Sequence, residues 1–237
     1  MSFYSVLSRY YNFIFPFNEK EASFVFSIIS SPVSRSLDIG CGIGNTASIL
    51  NECSSTVIGI DGNQDMIRQA QKAHPSLTFL AIDMRSLHEL ALKPMDVVTC
   101  FGNTLVHISN QDVQHVLKQW NTLLKDEGRL MIQIINYDRI LNDHVTCLPM
   151  INHELVSMER LYHHHHETIE FETILTDKQN DQVFTQRVTL YPLLKADLES
   201  YLLAAGFESF EFYGGFDGQP WTPSSYATIV VAKKKAQ

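Results

Sequence analysis

Short apolar runs alternate with helical periodicities over the first 136 residues. The stretches "SLDIG" (36–40), "TVIGID" (56–61), "LTFLAID" (77–83), "MDVVTCF" (95–101) and "RLMIQII" (129–135) each read as a buried strand. Between them, 44–52 and 63–73 suit helices, the second with Met66, Ile67 and Ala70 on one face. Val113, Val116, Leu117, Trp120, Leu123 and Leu124 recur at helical spacing, and Gly128 is expected to stop that helix. Apolar strands alternating with helices predict a parallel sheet covered on both faces. Right-handed crossovers then put a ligand crevice at the carboxyl ends of the strands.

The pattern changes after Asn136. "HELVSMERLYHHHHETIEFETILTD" and "DQVFTQRVTLYPL" are β-rich and partly alternating, with "KQND" as a turn between them. They predict an antiparallel insertion. A helix follows at 195–205, ending near Gly206, and then two strands, "FESFEFYG" and "SYATIVVAKK", joined by the Gly- and Pro-rich loop "GFDGQPWTPS". The expected organisation is a helical cap over 1–34, an α/β cofactor domain over 35–136 and 193–237, and the insertion over 137–192, acting as substrate lid or platform.

Composition narrows the function classes. The 237 residues are 45% hydrophobic and 19% charged, as in ordinary globular proteins. Charges interrupt every apolar run well short of the roughly 20 residues a membrane helix needs. The amino terminus lacks the features of a signal peptide. Cys41, Cys53, Cys100 and Cys147 form no CxxC pair and read as free thiols of a cytoplasmic protein. The net charge is −8, and the only basic run is "KKK" at 233–235, which argues against a nucleic-acid partner.

The chemistry concentrates in "LDIGCGIGN" (37–45). Its glycines follow Gly-x-Gly-x-Gly, with Asn45 where a dinucleotide turn would need its third glycine, and no Gly-Lys-Ser/Thr marks a Walker loop. Asp61 ends the second strand, where a carboxylate can accept both hydroxyls of a ribose or cap the following helix. Asp83 ends the third, where it can accept an adenine amino group or serve a turn. Three successive strand ends thus outline an adenosine pocket without phosphate recognition.

"LDIGCGIGN", "VIGID" and "AIDM" resemble the successive cofactor motifs of class I S-adenosylmethionine-dependent methyltransferases. The resemblance covers about 36–136. It implies a Rossmann-like sheet, parallel with one antiparallel strand formed by "SYATIVVAKK". It also implies S-adenosyl-L-methionine as cofactor, S-adenosyl-L-homocysteine as product, and roles for individual residues. Asp38 and Gly40 would approach the methionine part, Cys41, Gly42 and Gly44 would shape the turn, and Asp61 with Gly62 would hold the ribose. Asp83 and the backbone of Met84 would hold the adenine, with Met66 near its ring. Phe101 and Gly102 would line the crevice near the sulfonium. "LSRYYNFIFP" (7–16) resembles the cap of small-molecule methyltransferases, which makes Tyr11 a cofactor contact and Tyr10 a substrate contact.

"CFGNTLVHI" and "IINYDRIL" are similar to segments of glycine and sarcosine N-methyltransferases. The likeness implies that Asn103 and His107 face the acceptor. The Arg that grips an amino-acid carboxylate there is Ile135 here. The expected acceptor is therefore a neutral, aromatic or cationic small molecule, with Arg139 as the one residue placed to restore carboxylate binding. His107 is the candidate base. Tyr137 and Trp221 could present ring faces to the acceptor, although Trp221 could equally pin its loop. In "YHHHHE" (162–167), strand geometry would put His163 and His165 on one face and His164 and His166 on the other, too few per face for a closed metal site. Methyl transfer to a protein, a non-catalytic cofactor-binding module and a homodimer stay open as alternatives.

Overall fold

The computed structural model describes residues 3–236. Two helices come first, α1 (Phe3–Ile14) and α2 (Glu19–Ile28). The α/β unit follows as β1 (Val33–Ile39), α3 (Asn45–Asn51), β2 (Ser54–Asp61), α4 (Gln64–Ala73), β3 (Thr78–Ala81), a 3-10 turn (Met84–Glu89), β4 (Met95–Cys100), a second 3-10 turn (Thr104–His107), α5 (Asn110–Leu123) and β5 (Leu124–Ile135). Next come α6 (Tyr137–Asn142), β6 (Cys147–Asn152), β7 (Val156–His164), β8 (Ile169–Asp177) and β9 (Gln182–Leu190). The chain closes with α7 (Lys195–Ala204), β10 (Phe207–Tyr213) and β11 (Ala227–Lys234).

The main sheet runs β10-β11-β5-β4-β1-β2-β3. The strands from β1 to β5 pair in parallel, and β11 runs against both of its neighbours. This is the α/β sheet with one reversed strand that the sequence pattern and the resemblance together predict. The helices read from periodicity bury the expected stripes: Met66, Ile67 and Ala70 on α4, and Val113, Val116, Leu117 and Trp120 on α5. Asn63 caps α4 and Ser109 caps α5, each accepting backbone amides of the first turn.

Three local expectations are corrected. Gly128 does not stop α5. The helix ends at Leu123, Leu124 is already extended at ψ 143°, and β5 begins there. Gly128 instead sits in an irregularity of the β4–β5 pairing beside Glu127 at φ 63°, where a Cβ would meet the Lys125 carbonyl oxygen at 2.7 Å. The strand read over 77–83 stops at Ala81, because Asp83 turns to cap the 3-10 turn. Only His163 and His164 lie in a strand; His165 and His166 fall in the β7–β8 hairpin turn, so no four-residue alternation exists. His163 pairs with Glu172 at 2.8 Å, and His164 stacks on His144.

The second sheet, β6-β7-β8-β9, is wholly antiparallel. It is clamped at both ends. Val156, Met158 and Leu175 pack with Val6, Leu7, Tyr10 and Ile14 of α1. Tyr162, Ile169 and Leu190 join the core of the main sheet. Each fully buried apolar side chain contributes about 1.5–3 kcal/mol, so the platform is held firmly over the carboxyl edge of the main sheet. Among the described residues no helix is long and apolar enough to cross a membrane.

Candidate functional site

The crevice is built at the carboxyl ends of β1, β2 and β4. Asp38, one residue before the end of β1, is 1% exposed. The Thr99 hydroxyl of β4 donates to its Oδ1 at 2.8 Å, while Oδ2 is buried with no hydrogen-bond partner. Burial pushes the carboxyl up to about 7, the Thr99 hydrogen bond works against this, and Glu21 and Asp61 reinforce it. An unpartnered buried carboxylate oxygen at a strand end is an invitation to a cationic donor.

The glycine turn follows directly. Gly40, Gly42 and Gly44 all have positive φ, at 70°, 54° and 93°. A side chain at Gly40 would collide with Thr104, so that glycine lets the second 3-10 turn approach. Gly42 is different: its amide donates to Asp61 Oδ2 at 3.0 Å, and a Cβ would point at the Tyr11 hydroxyl 3.3 Å away. Asp61 Oδ1 accepts the Asn63 amide at 2.8 Å. Burial raises the Asp61 carboxyl above its ordinary range despite these two amide donors. Gly62 and Gly102 have nothing within 4 Å of where a Cβ would stand, which leaves backbone open to a ligand on both sides of the turn.

At the end of β4, Asn103 takes the left-handed conformation, at φ 65°. Its Oδ1 accepts the Ile135 amide at 3.0 Å, and its Nδ2 donates to the Tyr137 hydroxyl at 3.1 Å. This ties the ends of β4 and β5 together and fixes one phenol at the rim of the core. Burial raises the Tyr137 phenol well above its usual value, so it acts as a neutral hydroxyl.

Comparison with known proteins gives these features a name. A family described as "Methyltransferase domain" matches residues 37–128, the stretch carrying all three acids and the glycine turn. Residues 37–128 are a methyltransferase domain, and the chain resembles class I S-adenosylmethionine-dependent methyltransferases. A glycine/sarcosine N-methyltransferase from Aphanothece halophytica is 23% identical over 223 residues, covering 89% of this chain and 80% of that one. A solved S-adenosylmethionine-dependent methyltransferase from Clostridium acetobutylicum superposes with TM-score 0.82 at 15% identity, covering 92% of each chain. A sugar N-methyltransferase from Streptoalloteichus sp. superposes with TM-score 0.73 at 18% identity, over 92% of this chain and 87% of that one. At such identities the solved structures speak for the fold alone.

The methyltransferase fits its cofactor at the residues just described. The orphaned Asp38 Oδ2 suits an ammonium group, and Asp61 keeps acceptor capacity beside open Gly62. Asp83 is less ready: both its oxygens are held by Arg85, at 2.9 Å and 2.7 Å, which also keeps its carboxyl below the usual range. A bound nucleobase would have to share that carboxylate with Arg85. Met84 follows it at the start of the 3-10 turn, half-buried.

Other sequence-derived candidates are placed as follows. Tyr11 lies over Gly42, and its phenol is raised by burial and then by Asp61, Glu21 and Asp38. Tyr10 turns away from the turn, giving its hydroxyl to Gln179 Oε1 at 3.2 Å in the β8–β9 turn. Cys41 is buried, with its Sγ toward Gly59. Met66 packs under α1 with Ile43. Phe101 stacks edge-on against Phe216 at 5.2 Å. Tyr137 is wholly buried, its hydroxyl accepting from Asn103, so it presents no ring face to an acceptor, a correction to the expectation that it could. Trp221 donates through Nε1 to Thr228 at 2.9 Å and its amide bonds the Phe212 carbonyl, which is the loop-pinning alternative. His107 is crowded enough that burial lowers its pKa, yet part of its ring reaches solvent.

Several site residues escaped the sequence reading. Tyr4 feels the charge of Asp61, and its spacing of seven from Tyr11 on one helix face was the available signal. Thr104, Phe216 and Tyr162 come from segments whose approach only the fold brings about.

Proposed function

We propose that the enzyme methylates a small molecule held between the carboxyl edges of β4 and β5 and the inner face of the antiparallel sheet. The observation that carries this is the half-buried side chain of Asn103, fixed by the Ile135 amide and the buried Tyr137 hydroxyl, beside Gly102, whose backbone is open. The names of relatives support a small acceptor, since glycine/sarcosine N-methyltransferases are among them.

S-adenosylmethionine supplies a methyl group already activated on a sulfonium. The residues of this chain have the remaining tasks. Asp38 would hold the amino group of the cofactor, and Asp61 its ribose hydroxyls. Asn103, held in place by the buried Tyr137 hydroxyl, orients the acceptor for in-line approach, and such orientation is worth up to about 7–11 kcal/mol of barrier. His107 is neutral at pH 7, because burial lowers its pKa, and can take the proton that a protonated acceptor must lose. The platform keeps water out.

Incubating the enzyme with S-adenosylmethionine and a metabolite panel, and measuring S-adenosylhomocysteine, tests this reading. Product with one or more small molecules is expected; cofactor binding with turnover only on protein substrates would overturn it. Asp61→Ala is expected to weaken S-adenosylhomocysteine binding about tenfold or more, from the loss of charged hydrogen bonds worth about 1.5–3 kcal/mol each. Calorimetry on the folded variant checks it, and unchanged affinity would mean that the ribose is held elsewhere.

A further inference from the structure

The inner face of the platform has an unusual middle row. The register aligns Arg160 of β7, Thr173 of β8 and Gln186 of β9 across three strands. The next inward-facing row on one side is Met158 and Leu175 with half-buried Phe184, packed on α1; on the other it is Tyr162 with half-buried Phe171 and Val188, packed on the main core. A polar row thus runs between two apolar anchoring rows on the inner face of the platform.

Polar groups in and beside that row are short of acceptors. Arg160 Nε, Arg139 Nε and the Tyr162 hydroxyl are all buried with no hydrogen-bond partner. Only one terminal nitrogen of Arg160 is engaged, by the Pro149 carbonyl at 2.8 Å. The Arg139 guanidinium lies 5.3 Å over the Tyr226 ring. Both guanidiniums are close enough to the Tyr162 hydroxyl to act on its ionisation, and the Tyr137 hydroxyl is its near neighbour. Neither arginine is in an ion pair among the described residues, whereas Arg187 on the outer face of the same sheet pairs with Glu170 and Glu172. Two buried guanidinium Nε groups without acceptors, beside a phenol whose polar neighbour is the Tyr137 hydroxyl, favour an anion.

We propose that this cluster is an oxyanion subsite of the acceptor chamber, in which Arg139, Arg160 and the Tyr162 hydroxyl bind a carboxylate or phosphate group of the methyl acceptor. The inference rests on the crevice being the acceptor site. Ile135 removed the guanidinium from the expected position, and the fold delivers two others from α6 and β7. Guanidinium forks match both oxyanions in geometry. The Tyr162–Tyr137–Asn103 line connects the subsite to the open backbone at Gly102, so the acceptor presents its nucleophile at one end and its anion at the other.

The test uses the full chain saturated with S-adenosylhomocysteine, as wild type, Arg139→Met and Arg160→Met. Acetate and inorganic phosphate serve as probes against chloride at equal ionic strength, read by thermal unfolding. In the wild type at least one probe is expected to raise the unfolding midpoint; acetate alone marks a carboxylate site, phosphate alone a phosphate site. Each variant should bind that probe about tenfold or more weakly, as expected for losing a charged hydrogen bond. Circular dichroism establishes that each variant is folded before its probe response is read. No oxyanion response in wild type, or an equal response in the folded variants, would overturn the subsite. So would a metabolite panel whose best acceptor is neutral or cationic. Failure to bind S-adenosylhomocysteine at all would instead strike at the cofactor reading.

Discussion

Gly42→Val is expected to abolish cofactor binding while the sheet remains folded. Gly42 has φ 54°, where an L side chain is strained by about 1–2 kcal/mol. Its Cβ would stand 3.3 Å from the Tyr11 hydroxyl and 3.6 Å from Cζ, so branching there overfills the gap between α1 and the turn, at about 1–3 kcal/mol. The same backbone carries the amide that orients Asp61. Together these predict a loss of about a hundredfold or more in affinity for S-adenosylhomocysteine. Gly42→Ala should fall between valine and wild type, and adding Tyr11→Phe should recover part of the alanine defect by removing the hydroxyl it meets. Calorimetry reads affinity, and circular dichroism establishes that each variant is folded. A folded valine variant that binds normally would place the cofactor elsewhere.

The second large effect is a pH dependence through Asp38. Its folded carboxyl sits at about 7, against 3.8 as the ordinary value, chiefly because it is buried. The ligand-free folded state therefore holds the proton more tightly than the unfolded chain does. That contribution to stability is full below about pH 4 and is lost as pH rises toward 7, an effect on the order of a few kcal/mol. A cationic group at the orphaned Oδ2 needs the ionised form, so binding must release the proton below pH 7. Affinity for S-adenosylmethionine is then expected to rise about tenfold per pH unit from 5 to 7 and to level off above. Asp38→Asn should flatten that slope, weaken binding at pH 7.5, and make the ligand-free protein more stable at neutral pH. Calorimetry and thermal unfolding across pH 5–8 check all three. A slope that persists in the variant would assign the proton to another group.

The residues proposed for the cofactor could be picked from sequence because each marks a local feature. Each of Asp38, Gly42, Asp61 and Asp83 is at or near the end of a strand or in the turn after it, and a strand's end can be read from a few residues. Those for the acceptor could not. Tyr137 looked like an exposed ring and is core, because α6 rolls it inward beneath Asn103. Trp221 looked equally able to serve the acceptor, and its indole is tied to β11. Arg160 gave no sign at all, since in an alternating strand a single inward cation resembles a solvated one.

Sequence alone determined the alternation of strands and helices, the reversed last strand through the resemblance it carries, the glycine turn and the acids at or near the ends of β1, β2 and β3. Those features depend on periodicity and on backbone conformations that few residues can adopt, and both are written over short windows. Tertiary structure alone decided which oxygen of Asp38 lacks a partner, which glycine faces Tyr11, and which arginines meet over Tyr162. These depend on contacts between segments as much as 61 residues apart, and on which face of each strand the clamped platform turns inward. A one-residue change of register would reverse that face while leaving the hydrophobic content of the strands unaltered.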